Sequence, residues 1–262
     1  MTHADSDADR LRAFWDGRYQ DFSLSESGWL GAGARLNEYL YRAKFAALRA
    51  ALRAAGASAE SVFSVLDAGC GQGYFADFYR RAYPRARYVG IDISDRLVAH
   101  LRRTVPGGEF HTADLADFRD AAGRTFDVVQ SFEVVHLLLD DAHLARAVDR
   151  LAGALAPRGV LLITAALPDA TVQPTPYTKF RSREVWNRLL AARNLRIAEE
   201  RPMYFWLPAG GPQNRYLRFA FDRLGAAAVY AADRAALALG TPRSASAPLD
   251  SRMRLLTITR TA

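Results

Sequence analysis

The chain predicts an α/β fold: a seven-stranded, mostly parallel sheet with helices on both faces. Three observations carry that expectation. From Ser61 onward, apolar strand-like runs alternate with helix-compatible segments, the signature of a parallel sheet. One of those runs (Val62, Phe63, Val65, Leu66) feeds a helix-compatible segment from Tyr74 through the turn Asp67-Ala68-Gly69-Cys70-Gly71-Gln72-Gly73. A glycine-rich strand-to-helix turn lets a ligand approach the backbone where no Cβ stands in the way. Finally, seven strand candidates fit the chain, with a helical stretch before the last.

The elements follow in order. Residues 11–55 look helical, with Leu36, Tyr39, Leu40, Ala43, Phe45, Leu48 and Leu52 at mostly helical spacing and Ser23–Trp29 interrupting as a loop. Strands are expected at Val62–Asp67, Arg87–Asp92, Gly108–Thr112, Phe126–Phe132 and Val160–Ala165. Helices are expected between them at Tyr74–Tyr83, Arg96–Thr104 and Asp141–Leu155. Pro157-Arg158-Gly159 reads as a turn, and Pro168 to Pro176 as a proline-punctuated loop. A helix over Ser182–Arg193 precedes a strand over Leu195–Leu207, with Pro202 at an edge or bulge. Amphipathic helices over 213–239, with Tyr216, Phe219, Leu224, Val229 and Tyr230 on their apolar face, precede a final strand at Arg252–Thr259. The division expected is a helical lid at 1–60 and a main domain at 61–262 with an insertion at about 211–240.

Composition narrows the function. At 262 residues, half of them hydrophobic, the chain can bury one large core. No apolar run is long enough to span a bilayer, the polar, acidic start is unlike a secretory signal, and one cysteine excludes an internal disulfide framework. These features predict a soluble cytoplasmic protein with no membrane partner. The net charge of +7 raises nucleic-acid binding. Its distribution argues against that, since the cations are nearly all scattered arginines, with Lys44 and Lys179 the only lysines.

The glycine turn alone does not choose a ligand, because Gly71-Gln72-Gly73-Tyr74-Phe75-Ala76 also fits a dinucleotide G-x-G-x-x-A pattern. Asp92 ends the second strand in Val89-Gly90-Ile91-Asp92-Ile93-Ser94, where a carboxylate can accept both hydroxyls of a ribose. Ser94 suits the cap of the next helix. Asp114 follows the third strand, in Phe110-His111-Thr112-Ala113-Asp114-Leu115. The fourth strand reads Phe126-Asp127-Val128-Val129 and runs on through Phe132-Glu133-Val134-Val135, and Leu155-Ala156-Pro157-Arg158-Gly159 precedes the fifth.

In this order, over roughly Val62 to Ala165, these motifs resemble those of class I S-adenosylmethionine (SAM)-dependent methyltransferases. The resemblance implies a Rossmann-like sheet and SAM as the methyl donor. It implies donor binding by Asp67, Gly69, Gly71, Gly73, Asp92, Ile93, Asp114, Leu115 and Phe132, with Asp114 and Leu115 meeting the adenine. No metal is required by anything visible. The acceptor is expected to be a small molecule, methylated on oxygen or nitrogen ahead of carbon. The rival readings are a nucleic-acid methyltransferase and a SAM-binding protein without transfer activity.

His136, just past the fourth strand, is the candidate general base, and His143, placed on the solvent side of the next helix, is a weaker one. Acceptor contacts are expected from Trp29 in a lid loop, from Glu133, and from Tyr177, Lys179 and Arg181 after the fifth strand. Phe14 to Tyr19 resembles a lid whose aromatics can cover a cation, and Met203 to Trp206 a pocket wall. Cys70 suits packing in the turn. The 213–239 helices either cap the acceptor site or form a homodimer contact.

Overall fold

Five short apolar runs form the centre of the sheet. They are β1 (Ser64–Ala68), β2 (Arg87–Asp92), β3 (Glu109–Thr112), β4 (Phe126–Ser131) and β5 (Leu155–Ala165), paired in parallel in the order β3-β2-β1-β4-β5. The computed structural model describes residues 7–20, 22, 33–204, 225–239 and 252–261. After β5 come a small hairpin, β6 (Val172–Thr175) and β7 (Thr178–Phe180), and then β8 (Leu195–Pro202). The last strand, β9 (Arg254–Arg260), slots between β5 and β8 and is antiparallel to both. The main sheet therefore has seven strands in the order β3-β2-β1-β4-β5-β9-β8.

Period-two alternation explains why the sheet is covered twice. Val65, Val128 and Leu162 turn to one layer, while Leu66, Val129, Leu161 and Ile163 turn to the other. The first layer holds α2 (Ala34–Ala54), α3 (Tyr74–Ala82) and α4 (Asp95–Thr104), and the second holds α5 (Asp141–Ala154) and α6 (Arg183–Ala191). A further helix, α1 (Asp7–Arg18), lies beside α4 at the carboxyl edge of the sheet. The helix α7 (Ala226–Ala238) lies against α2 with Tyr230 stacked on Tyr39, ring centres 4.8 Å apart.

Three expectations change. The segment after Leu167 is not all loop, because Val172–Thr175 and Thr178–Phe180 pair as a hairpin with Tyr177 in its turn. Its prolines are tolerated because β6 is an exposed edge with no ladder partner on its other side. The turn expected at Pro157-Arg158-Gly159 is instead a bulge within β5. Leu155 pairs with Phe126 and Val160 with Val128, so the residues between them loop out. The strand from Leu195 ends at Pro202; Phe205 and Trp206 lie outside the described residues, as do Tyr216, Phe219, Leu224 and Trp29. No described helix is long and apolar enough to cross a membrane.

Candidate functional site

A roofed cleft opens along the carboxyl edge of the parallel strands, where α/β sheets bind ligands. Its floor follows the strand order. Asp114 lies just beyond β3, Asp92 ends β2, Gly69 and Gly71 follow β1, and Phe132 and Glu133 follow β4. Leu11 and Trp15 of α1, Tyr19 just after it, and Tyr41 and Lys44 of α2 form the roof.

The glycine turn is built by backbone geometry. The N–H groups of Gly69 and Cys70 both donate to the Ile91 carbonyl, at 2.8 and 2.9 Å, which ties the turn to β2. Gly69 has φ +81° and lies against Val134, where a Cβ would come within 2.2 Å of a methyl carbon. Only glycine combines that conformation with that approach. Gly71 (φ +51°) aims its N–H at Asp92 Oδ2, 3.0 Å away, and Ser94 N–H donates to Oδ1 at 3.1 Å. Each Asp92 oxygen keeps a lone pair for a ligand hydroxyl. Burial pushes the Asp92 carboxyl up to about 6, with the backbone donors pulling against it. Ser94 caps α4, accepting from Leu97 N–H, and donates to Asp16 of α1.

Beneath the turn, Asp67 is fully buried and does not line the cleft. It accepts from the Tyr88 hydroxyl, and burial holds its carboxyl up to about 6. Gly73 begins α3 away from the lining and packs on Leu101. Cys70 is buried and its thiol pushed well up by that burial, so it is a packing residue in the turn.

Asp114 has a partner that sequence reasoning misplaced. His143 is not on the solvent side of its helix. It is buried, with Nε2 at 2.9 and 3.0 Å from the two Asp114 oxygens. The Ala116 N–H also donates to Oδ1, at 2.7 Å. Burial opposes the Asp114 charge, but these donors hold its carboxyl below the usual range. The result is an oriented acceptor at the β3 end of the cleft, flanked by Ile93 and Leu115.

At the β4 end, Glu133 adopts a left-handed backbone (φ +59°), uncommon for a residue with a Cβ, while its N–H donates to Thr164 Oγ1. Its carboxylate accepts from Lys44 Nζ at 2.8 Å and from the Tyr204 hydroxyl at 3.1 Å. Burial works against both charges, yet each holds the other ionised: Lys44 is raised and Glu133 lowered from its ordinary value. The Lys44 ammonium also stands 4.5 Å from the Tyr41 ring centre. Sequence reading placed Glu133 here but left Lys44 among the scattered cations.

Other expected residues are elsewhere. The turn after β4 carries His136 out of the cleft, with its ring 5.4 Å from that of Phe180. Burial there lowers it to about 4, and its Nδ1 is a buried atom with no partner. Lys179 and Arg181 also stand outside the cleft. Both reach Asp141 (2.7 and 2.8 Å) and the Leu139 carbonyl (3.2 and 2.9 Å), which fastens the β6–β7 hairpin to the start of α5. Tyr177 is exposed at the hairpin tip and stacks on Phe14 of α1, ring centres 5.9 Å apart.

This geometry has relatives. A family model described as a methyltransferase domain matches residues 65–159. A probable S-adenosylmethionine-dependent methyltransferase of Mycolicibacterium smegmatis is 32% identical over 123 residues, 46% of each chain. A trans-aconitate 2-methyltransferase of Rhodopseudomonas palustris is 34% identical over 111 residues, 42% of this chain and 41% of that one. The chain thus spans less than half the length of these curated relatives. Among solved structures, magnesium protoporphyrin IX methyltransferase from Synechocystis PCC 6803 with bound SAM aligns over the whole of both chains, at TM-score 0.57 and 14% identity, a likeness of fold.

Proposed function

We propose that the chain, whose residues 65–159 match a methyltransferase domain model, is a class I SAM-dependent methyltransferase that transfers the methyl group of SAM to a small-molecule acceptor. The observation that carries this reading is the Asp92 carboxylate, fixed by the Gly71 and Ser94 N–H groups on the floor of a roofed cleft. Asp92 receives the ribose hydroxyls. Asp114, oriented by His143, receives the adenine amino group, with Ile93 and Leu115 against the ring. Bound SAM supplies a methyl group on a cationic sulfur, so the electronics of transfer come with the ligand. What remains for the protein is to orient the acceptor and exclude water.

The α1 roof serves the second task. Trp15 and Tyr19 cover the cleft with aromatic faces, which attract a cation. Arg10 and Arg12 tie α1 to the Leu137 and Ile93 carbonyls, at 3.3 and 3.4 Å, on two sides of the opening. This supports the expected lid at 1–60. Oxygen or nitrogen acceptors are favoured, because a lone pair needs only alignment with the bond to sulfur, whereas carbon must first be activated.

Calorimetric titration with SAM tests the reading. Wild type is expected to bind, and Asp92→Ala to lose on the order of tenfold to a hundredfold in affinity, as expected for hydrogen bonds to a charged group. Unchanged affinity in the variant would remove the ribose assignment.

A further inference from the structure

We propose that the amino edge of the sheet, on its α2–α4 side, is a docking surface for an anionic membrane, gripping the phosphates of lipid headgroups. The arginines are scattered in sequence, and the topology gathers them. Residues 34–104 hold twelve lysines and arginines against six acids, whereas residues 105–204 hold twelve against thirteen. Each of α2, α3 and α4 leads into the start of a strand, and those strands, β1, β2 and β3, are parallel. All three helices therefore end at the same edge. In or near their last turns they carry Arg49 and Arg53, Arg80 and Arg81, and Arg102 and Arg103. Arg85 and Arg87 join them from the approach to β2. All eight are exposed.

A cation at a helix end offsets the partial negative charge of the last carbonyls, but eight arginines exceed what three helix ends need. Two carboxylates stand among them in this part of the chain, Glu60 and Asp77, and Asp77 is already shared by Arg80 and Arg81. The acids at the neighbouring strand starts are engaged as well, Glu109 with Arg124 and Asp127 with the Ser64 hydroxyl and N–H. Arg85 and Arg102 are positioned by neutral groups, the Glu60 and Phe110 carbonyls, at 3.3 and 2.9 Å. Arg49 lies over the Phe78 ring, 5.3 Å from its centre. Carbonyls and rings hold a guanidinium in place but leave its charge uncompensated. The partner must supply the negative charge, and a guanidinium fork matches a phosphate. Two observations choose a membrane over a nucleic acid. The exposed rings that could stack on bases, Phe14 and Tyr177, lie toward the opposite edge. Val62, 59% exposed just before β1, instead puts an apolar side chain among the arginines, the combination that seats a protein in a headgroup layer. The expectation of no membrane partner came from the lack of a spanning run, and attachment by charge needs none. The cleft opens at the other end of the strands, so docking leaves it accessible.

The test is cosedimentation of the full chain with vesicles of phosphatidylcholine containing about one-third phosphatidylglycerol, and with vesicles of phosphatidylcholine alone. Wild type is expected to bind the first and not the second, and to be released at about 1 M salt, where the Debye length is about 3 Å. Arg85→Gln/Arg87→Gln and Arg53→Gln/Arg103→Gln should each weaken binding by about fivefold per arginine removed. Val62→Ser should weaken it a few-fold. Arg146→Gln/Arg188→Gln removes the same charge from exposed positions of α5 and α6 on the other layer. Lying beyond a Debye length from the docked edge, that pair should leave binding within about twofold of wild type. Melting temperatures close to wild type report that these surface variants fold. Equal weakening by the variants of both layers would mean attraction by net charge alone and would overturn the surface. Equal binding to both kinds of vesicle, or to neither, overturns it as well. Duplex DNA binding more tightly than the anionic vesicles at equal phosphate, with loss in the same variants, would assign the face to nucleic acid and overturn the membrane.

Discussion

A carboxyl buried beside backbone N–H groups can be needed ionised by a ligand and yet favoured neutral by the empty fold, and Asp92 is in that position. Its carboxyl sits at about 6 because burial raises it from an ordinary 3.8. A folded value above the unfolded one means that the fold is favoured at low pH and that this contribution is lost as pH rises through about 6. Relative to Asp92→Asn, wild type without ligand should lose up to about 3 kcal/mol of stability between pH 4 and pH 7, read by denaturant unfolding. Donor affinity should move the other way, rising through pH 6, since only the ionised group accepts two hydroxyls; a flat affinity profile would contradict Asp92 as acceptor. His136 gives a second residue-scale prediction. It lies outside the cleft lining and packs on Phe180, so His136→Ala should keep SAM turnover within a few-fold of wild type once an acceptor is in hand; a loss of a hundredfold or more would mark it as the general base. The acids of the site were legible in the sequence because strand ends announce themselves. Lys44 and His143 were legible in principle. Lys44 is spaced four residues from both Leu40 and Leu48, and His143 continues through Ala147 to Leu151, so each sits on the buried face of its helix. A polar residue in an apolar stripe is a signal that a charge count discards.

At the scale of elements, the central strands and the helices between them followed from alternation and caps, because those features are local. The hairpin did not, since its pairing depends on what it docks against and its prolines argue for a loop. Lys179 and Arg181 hold it, through Asp141 and the Leu139 carbonyl, at the first turn of α5. Arg181 is 2% exposed there, with its guanidinium held in this clamp. The double variant Lys179→Met/Arg181→Met should lose about 1–3 kcal/mol of stability by chemical denaturation, the usual worth of hydrogen bonds to charged groups, with S-adenosylhomocysteine affinity unchanged. A variant of full stability would show that the clamp contributes nothing. The hairpin also touches the roof, since Tyr177 stacks on Phe14, and Phe14 meets Trp15 edge to face with ring centres 5.1 Å apart. The hairpin is therefore joined to the roof helix by aromatic contact.

For the whole molecule, a ligand in this cleft touches the ends of β2, β1 and β4 and both N-terminal helices at once, so binding should stabilise the entire fold. At about a hundred times its dissociation constant, S-adenosylhomocysteine should contribute about 2.7 kcal/mol. That corresponds to a rise in melting temperature of roughly 5–10 °C, measurable by scanning calorimetry; no shift at saturation would mean that the ligand does not bind the native cleft. The sheet has one more property with a bearing beyond binding. Because β9 lies between β5 and β8, the sheet is completed out of chain order. Until residues 254–260 have left the ribosome, β5 presents an unpaired rim and β8 has nothing to join, and rims of that kind recruit other chains. β9 is thus the keystone of the sheet, and the nascent protein keeps an adhesive rim until that strand has been made.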